Sequence, residues 1–252
     1  MNLNELKNYL IEEERKSFSG WDFSYINERI VEEPLPWNYQ KIVKEYLKPS
    51  HKLLDIGTGG GEFLLSLRHP YQNTSATEAY QPNFILCKET LSPLGIDVRK
   101  VFDDNCIPFE ENYFDIIIDR HESFSISEVN RMLKPEGIFI TQQVGGQNNK
   151  TLSSFLLGDF NEIIDPQYSL DKNIDLFRDD GFSILRAEEY FPKLKFLDIG
   201  AFVYFAKVIE WEFPGFSVEK YFDKLCELQT IIENQGYIES LEHRFFLLAK
   251  KL

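Results

Sequence analysis

The sequence predicts an α/β fold on a largely parallel sheet, with helical pieces added at the amino end and late in the chain. Three observations carry this. Short apolar strands alternate with helical patterns between His51 and Val144, the order produced by right-handed crossover units. A glycine-rich stretch, Gly57-Thr58-Gly59-Gly60-Gly61, joins the first of those strands to the first of those helices. The composition, 43% hydrophobic and 27% charged over 252 residues, is that of a chain with a large core, and it excludes a disordered, collagen-like or membrane-embedded protein.

The elements follow in order. Residues 4–17 form a polar amphipathic helix, and a loop with Trp21, Phe23, Tyr25, Pro34, Pro36 and Trp37 leads to a helix over 39–47 that Pro49 stops. The first sheet strand is 51–56, and Phe63, Leu64 and Leu67 mark the helix after it. Strands are expected at 75–78, 98–102, 114–119 and 138–144, with helices at 82–91 and 125–133. After Gly145-Gly146 come a helix at 152–157, a strand at 182–188, a helical insertion over 198–209 and 218–234 broken at Pro214-Gly215, and a last strand over 243–249. No linker stands out. The expected division is a cap segment over 1–50 and one domain over 51–252, carrying an insertion at about 198–236.

Charge and cysteine usage bound the function. Lys and Arg number 27 against 41 Asp and Glu, a net charge of −14; such a surface repels phosphate backbones, so nucleic acid is disfavoured as a substrate. Cys87, Cys106 and Cys226 are far apart and show no metal-ligand spacing, so neither a disulfide framework nor a metal site is expected. The longest apolar run, 199–209, contains Lys207 and is too short to span a bilayer. The amino end lacks the apolar run of a signal peptide. A cytoplasmic setting is the expectation.

The chemistry is expected in Asp55-Ile56-Gly57-Thr58-Gly59-Gly60-Gly61-Glu62. Glycines at a strand-to-helix turn let a ligand approach the backbone without a Cβ in the way. A dinucleotide fingerprint would need its third glycine where Glu62 stands, and no lysine follows to make a phosphate loop. Carboxylates at Asp55 and Glu62 oppose a pyrophosphate and tolerate a cation, which points to S-adenosylmethionine with its sulfonium and ammonium. Glu78, at the end of the second strand, has two acceptor oxygens for the hydroxyls of a ribose. Asp103, just past the third strand, could accept from an adenine amino group, and Ile107 could cover a ring face; the competing reading of Asp103-Asp104-Asn105 is an ordinary polar turn.

With these elements in this order, residues 51 to about 145 resemble the class I S-adenosylmethionine-dependent methyltransferases, most closely the small "type 11" group that includes quinone-biosynthesis enzymes. Lys134-Pro135-Glu136-Gly137 stands where that family usually has K-P-G-G. The resemblance implies a Rossmann-like sheet of seven strands, the last antiparallel, and S-adenosylmethionine as cofactor. It implies that Asp55, Gly57, Thr58, Gly59 and Gly61 approach the methionine part, that Glu78 binds the ribose and that Asp103 binds the adenine with Asp104 adjacent; Ala79, Ile107 and Arg120 are further expected cofactor-binding residues. The pieces around residues 141–146, 198–205, 214–221 and 243–251 also resemble uncharacterised bacterial methyltransferases, which names no substrate.

For the methyl acceptor, the stretch after the fourth strand reads Asp119-Arg120-His121-Glu122-Ser123. An N-P-P-Y signature is absent, and so is a Pro-Cys nucleophile. His121 is the candidate general base, since imidazole titrates near neutrality; the competing role is to orient a loop. His243 reads as a structural histidine. Trp21, Trp37, Tyr39, Phe202 and Tyr204 are the candidate aromatic wall of an acceptor pocket, against the plainer reading of core packing, and Gln142 and Gln143 offer amides at the end of the fifth strand. The expectation is a methyltransferase acting on a small aromatic or apolar molecule. The alternatives are an RNA methyltransferase or a non-catalytic S-adenosylmethionine-binding protein.

Overall fold

The computed structural model describes residues 2–18, 23–158, 165 and 167–252. The helices are α1 (Leu3–Glu14), α2 (Tyr39–Tyr46), α3 (Glu62–Ser66), α4 (Gln81–Thr90), α5 (Ile126–Met132), α6 (Lys150–Leu157), α7 (Leu170–Asp179), α8 (Ile199–Val208) and α9 (Val218–Gln235). The strands are β1 (Ile30–Glu32), β2 (Leu53–Ile56), β3 (Thr74–Glu78), β4 (Asp97–Lys100), β5 (Phe114–Arg120), β6 (Leu133–Val144), β7 (Phe182–Tyr190), β8 (Lys193–Phe196), β9 (Ile238–Leu241) and β10 (Arg244–Lys251). These elements form two compact units.

One unit comprises residues 36–144, 169–189 and 245–252. It holds a seven-stranded sheet in the order β4-β3-β2-β5-β6-β10-β7, mostly parallel with one antiparallel strand. The central strands β2 and β5 are buried on both faces, Leu53, Leu54, Ile116, Ile117 and Ile118 being without solvent exposure. That is what parallel strands covered by helices on both sides require, and it explains their unbroken apolar runs. Asn38 caps α2 by accepting the Lys41 N–H at 2.8 Å.

The other unit comprises residues 1–35, 145–168 and 190–244. It contains a small antiparallel sheet, β1-β8-β9, with Ile30 opposite Phe196 and Phe196 opposite Ile238. Helices α1, α6, α8 and α9 belong to the same unit. A capping box between Asn2 and Glu5 starts α1. The Asp198 carboxylate caps α8 by accepting the Ala201 N–H at 2.8 Å and also binds Arg29. The apolar run at 199–209 is α8, buried at Ile199, Ala201, Phe202, Val203, Tyr204 and Ala206. A helix apolar on all sides is a core helix.

Several expectations are redrawn. The two units part at residues 35 and 36, α2 falling in the unit of the large sheet, and residues 190–244 fall in the other unit. The strand expected at 98–102 ends at Lys100. Strand β1 lies in a stretch read as loop, and helix α7 and strands β8 and β9 lie where no element was expected. In α7, Leu170 and Phe177 are buried and Asp171 and Asp175 lie on the wet side, a helical spacing present in the sequence. The three short strands carry only three or four residues each, too few for alternation to register.

Candidate functional site

The carboxyl ends of β2, β3 and β5 bring the predicted residues to one edge of the large sheet. Parallel register sets Ile56 beside Asp119 and Asp119 beside Thr141, so the crevice lies outside the strand ends, where ligands bind in this architecture. The glycine turn is held from below: the Thr58 N–H bonds the Thr77 carbonyl and the Gly61 N–H bonds the Thr58 carbonyl, each at 3.0 Å. Gly57, Gly59 and Gly61 have φ of 63°, 62° and 86°, a region that L side chains avoid. The Cys87 thiol adds a bond to the Gly59 carbonyl at 3.0 Å.

Each glycine faces something different. A Cβ at residue 57 would stand 2.4 Å from Glu122 Cγ, one at 60 would stand 2.4 Å from Glu62 Oε1, and one at 61 would meet Leu91. At Gly59 no heavy atom of the described residues lies within 4 Å of that position. The open approach to the backbone therefore centres on Gly59, whose N–H donates to Glu78 Oε2 at 2.8 Å. Glu78 is 3% exposed, and its Oε1 accepts the Tyr80 N–H at 2.8 Å. It is thus no solvated strand-end charge; each carboxylate oxygen keeps a further lone pair for a ligand hydroxyl.

A cavity beside this turn is lined by Ile56, Gly57, Thr77, Ala79, Val101, Asp104, Ile107 and Glu122. Asp104, which accepts the Ser123 hydroxyl at 2.7 Å, faces it. Asp103 does not: it is exposed, and its Oδ1 binds Asn105 in a local polar turn. Ile107 is buried against the cavity, its N–H bonded to Glu128 at 2.9 Å.

Two buried acids lie at the strand ends. Asp55 Oδ2 accepts the Thr58 hydroxyl at 2.8 Å. Burial pushes its carboxyl up to about 7, with Glu78 acting the same way and Thr58 and Arg120 opposing. Asp119 is without exposure; its Oδ1 accepts the Thr141 hydroxyl at 3.0 Å and the Gln143 amide, whereas its Oδ2 has no hydrogen-bond partner among the described residues. Burial, with Glu122 and Asp55 adding repulsion, holds it well above the carboxylate range.

His121 sits directly after β5 with φ 67°. The Trp37 indole N–H donates to Gln142 Oε1 at 2.8 Å, and Gln142 Nε2 lies 2.9 Å from His121 Nε2. Because an indole nitrogen is only a donor, the amide oxygen must face it, and the amide nitrogen therefore donates to the imidazole. His121 Nε2 is an acceptor already engaged, and the neutral ring carries its proton on Nδ1. The Tyr39 hydroxyl donates toward the Asp119 and Ile140 carbonyls at 2.8 and 2.9 Å, and its ring packs against Phe63 and Phe246. Trp37 packs against Phe246. Arg120 lays its guanidinium over Phe63, 4.5 Å from the ring centre.

The structure thus joins Asp55, the glycine turn, Thr58, Glu78, Ala79, Asp104, Ile107 and Glu122 around one edge, with Trp37, Tyr39, His121, Gln142 and Gln143 at the neighbouring ends of β5 and β6. Phe202 and Tyr204 are absorbed in the core of the other unit, against Phe196, Phe213 and Tyr25, so for them the core reading holds. Trp21 lies outside the described residues. Sequence reasoning gave no role to Glu122, Asp119 or Thr77; the signal available for the first two was their place in the stretch after the fourth strand. Among the described residues no cluster of acids, histidines and cysteines fits a metal ion, and no helix is long and apolar enough to cross a membrane.

The comparisons agree with this geometry. Residues 54–141 match a family model described as a methyltransferase domain. No curated protein matches the sequence. Among solved structures, one from Bacillus halodurans C-125 assigned to the methyltransferases is 14% identical, covering 85% of this chain and 98% of that one with a TM-score of 0.56. A geranyl diphosphate methyltransferase in complex with S-adenosylmethionine is 13% identical over 84% of each chain, TM-score 0.52. The [4+2]-cyclase SpnF is 19% identical, covering 84% of this chain and 80% of that one, TM-score 0.52. Identities this low speak for the fold alone, and the cyclase is a reminder that one fold carries more than one chemistry. The matched stretch, residues 54–141, contains the glycine turn, Glu78 and the end of β5, and it carries a methyltransferase domain.

Proposed function

We propose that the chain transfers the methyl group of S-adenosylmethionine to a small aromatic or apolar acceptor. The observation that carries the cofactor half is the pairing of an open Gly59 backbone with a buried Glu78 whose oxygens retain acceptor capacity. The residues fit a cationic nucleoside: Asp55 and the turn backbone would hold the methionine part, Glu78 the ribose, Asp104 rather than Asp103 the adenine amino group, and Ala79 and Ile107 the ring faces. When bound, the cofactor supplies an electrophilic methyl group on sulfur. The protein's task is then alignment and exclusion of water, with a base needed only for an acceptor that must lose a proton.

The acceptor half rests on charge and on the ends of β5 and β6. A net charge of −14 disfavours a polyanion, and the Gln142 amide bonds the Trp37 indole, which packs against Phe246. We assign His121 to positioning: its Nε2 lone pair is engaged by Gln142, so taking a proton there requires that bond to break. A small-molecule enzyme of the cytoplasm is consistent with the acidity and with three cysteines that are all free thiols.

The test is to incubate purified protein with S-adenosylmethionine and a panel of phenols, small amines, isoprenoid phosphates and RNA, and to measure S-adenosylhomocysteine. Release with one or more small acceptors and none with RNA is expected. Release with RNA alone contradicts the acceptor reading, and cofactor binding with no release across the panel favours a non-catalytic binding protein.

A further inference from the structure

We infer that Glu122 is a charge-discriminating residue of the cofactor cavity: its carboxylate, lying against Gly57, makes the site prefer the sulfonium S-adenosylmethionine over the uncharged thioether S-adenosylhomocysteine. The inference rests on the reading of this cavity as the S-adenosylmethionine site.

The placement of Glu122 follows from the local backbone. The left-handed turn at His121 reverses the chain just past β5, and the Gln143 amide holds the Glu122 carbonyl at 3.0 Å. The side chain is thereby laid over the glycine turn, with Oε2 only 2.8 Å from where a Cβ on residue 57 would stand. Gly57 makes room for this carboxylate as much as for a ligand. The side chain also lines the cavity together with Asp104, Ala79 and Ile107.

Its charge is poorly compensated. Among the described residues its carboxyl receives only the Ser123 N–H at 3.2 Å and the Ser123 hydroxyl at 3.5 Å, both on Oε1, and it has no ion-pair partner. The groups facing it are acids: Glu78 from the end of β3, Asp104 from the loop after β4, and Asp119 from β5. Burial, with Glu78 and Asp104 adding repulsion, raises its carboxyl above the ordinary range. A pocket of like charges in a partly dry edge is stabilised by a cation and indifferent to a neutral ligand of the same shape. Substrate and product of methyl transfer from sulfur differ by one positive charge, so this collar favours loading of the one and departure of the other. The other acids already have work to do: Glu78 holds the Gly59 N–H, and Asp55 holds Thr58. Removing the Glu122 carboxylate costs the turn no hydrogen bond.

The experiment is calorimetric titration of S-adenosylmethionine and S-adenosylhomocysteine into the full chain and into Glu122→Gln and Glu122→Asp, with thermal melts to establish folding. Wild type is expected to prefer the sulfonium by about tenfold or more; Glu122→Gln should lose most of that preference through weaker S-adenosylmethionine binding, and Glu122→Asp should retain part of it. Equal weakening of both ligands in Glu122→Gln, or an unchanged ratio, overturns the inference while leaving the cofactor reading standing. A wild-type chain that binds neither ligand overturns the cofactor reading and this inference with it.

Discussion

Two buried acids, one in each unit, are perturbed by the same cause and differ in the groups around them. Asp55, at the end of β2, and Glu212, between α8 and α9, are both pushed by burial to about 7. Glu212 is tied on both oxygens by carboxamides, Asn148 Nδ2 at 2.5 Å and Asn149 Nδ2 at 2.7 Å, and Arg244 lies close enough to favour its charge. Asp55 has one hydroxyl, Thr58, and stands near Glu78 and Asp119, with Arg120 favouring its charge. The first acid is part of a polar network closed by the chain itself. The second belongs to a cluster of acids in which, among the described residues, Asp119 Oδ2 has no hydrogen-bond partner. A perturbed carboxyl is therefore no sign of a site on its own; what separates the two is whether the protein supplies its counter-groups.

The largest expected effect comes from closing the turn. Gly57→Ala places a Cβ at φ +63° and against Glu122, which costs about 1 kcal/mol of backbone strain and should abolish measurable cofactor binding by calorimetry. Next, the double variant Asn148→Ala, Asn149→Ala removes two carboxamide donors from the buried Glu212; thermal melts should report a loss of about 3 kcal/mol, with cofactor affinity unchanged. An affinity that falls in parallel would erase the distinction between the two acids.

The pH dependence sharpens it further. A raised folded-state value means the folded chain binds a proton that the unfolded chain has released. Stability from protonated Asp55 and Glu212 is therefore full below the ordinary carboxylate range and is lost as pH rises through about 7. A cation favours only the cluster acids, lowering the Asp55 value, so S-adenosylmethionine affinity should rise with pH through about 7, with proton release seen in buffers of different ionisation enthalpy. Asp55→Asn should flatten that rise; Glu212→Gln should not. The smallest effect is expected at His121: His121→Asn should lower kcat by only a few-fold and leave the pH profile in place, whereas loss of a limb near the histidine value would restore it as a base.

The unit of the large sheet was legible because its strands are continuous apolar runs between turn residues, and because Gly57–Gly61 and Glu78 sit at spacings that only a strand-end crevice explains. The other unit was not. Its strands Ile30–Glu32, Lys193–Phe196 and Ile238–Leu241 pair across more than 160 and 40 residues of sequence, a pairing no local pattern encodes. Phe202 and Tyr204 look the same in sequence whether they line a pocket or fill a core. At the site, the acids were readable by type and position, while the choice of Asp104 over Asp103 depends on which side chain a two-residue turn rotates inward. The tautomer of His121 depends on Trp37, an indole 84 positions upstream that no spacing rule connects to it.

The most direct test of the account is titration of S-adenosylmethionine into wild-type protein and Glu78→Ala. The account predicts saturable heat with one molecule per chain for the wild type, and affinity reduced by at least about tenfold in the variant, since two oxygens that accept ligand hydroxyls and hold the Gly59 N–H are removed together. No heat with the wild type, or equal affinity in the variant, contradicts it.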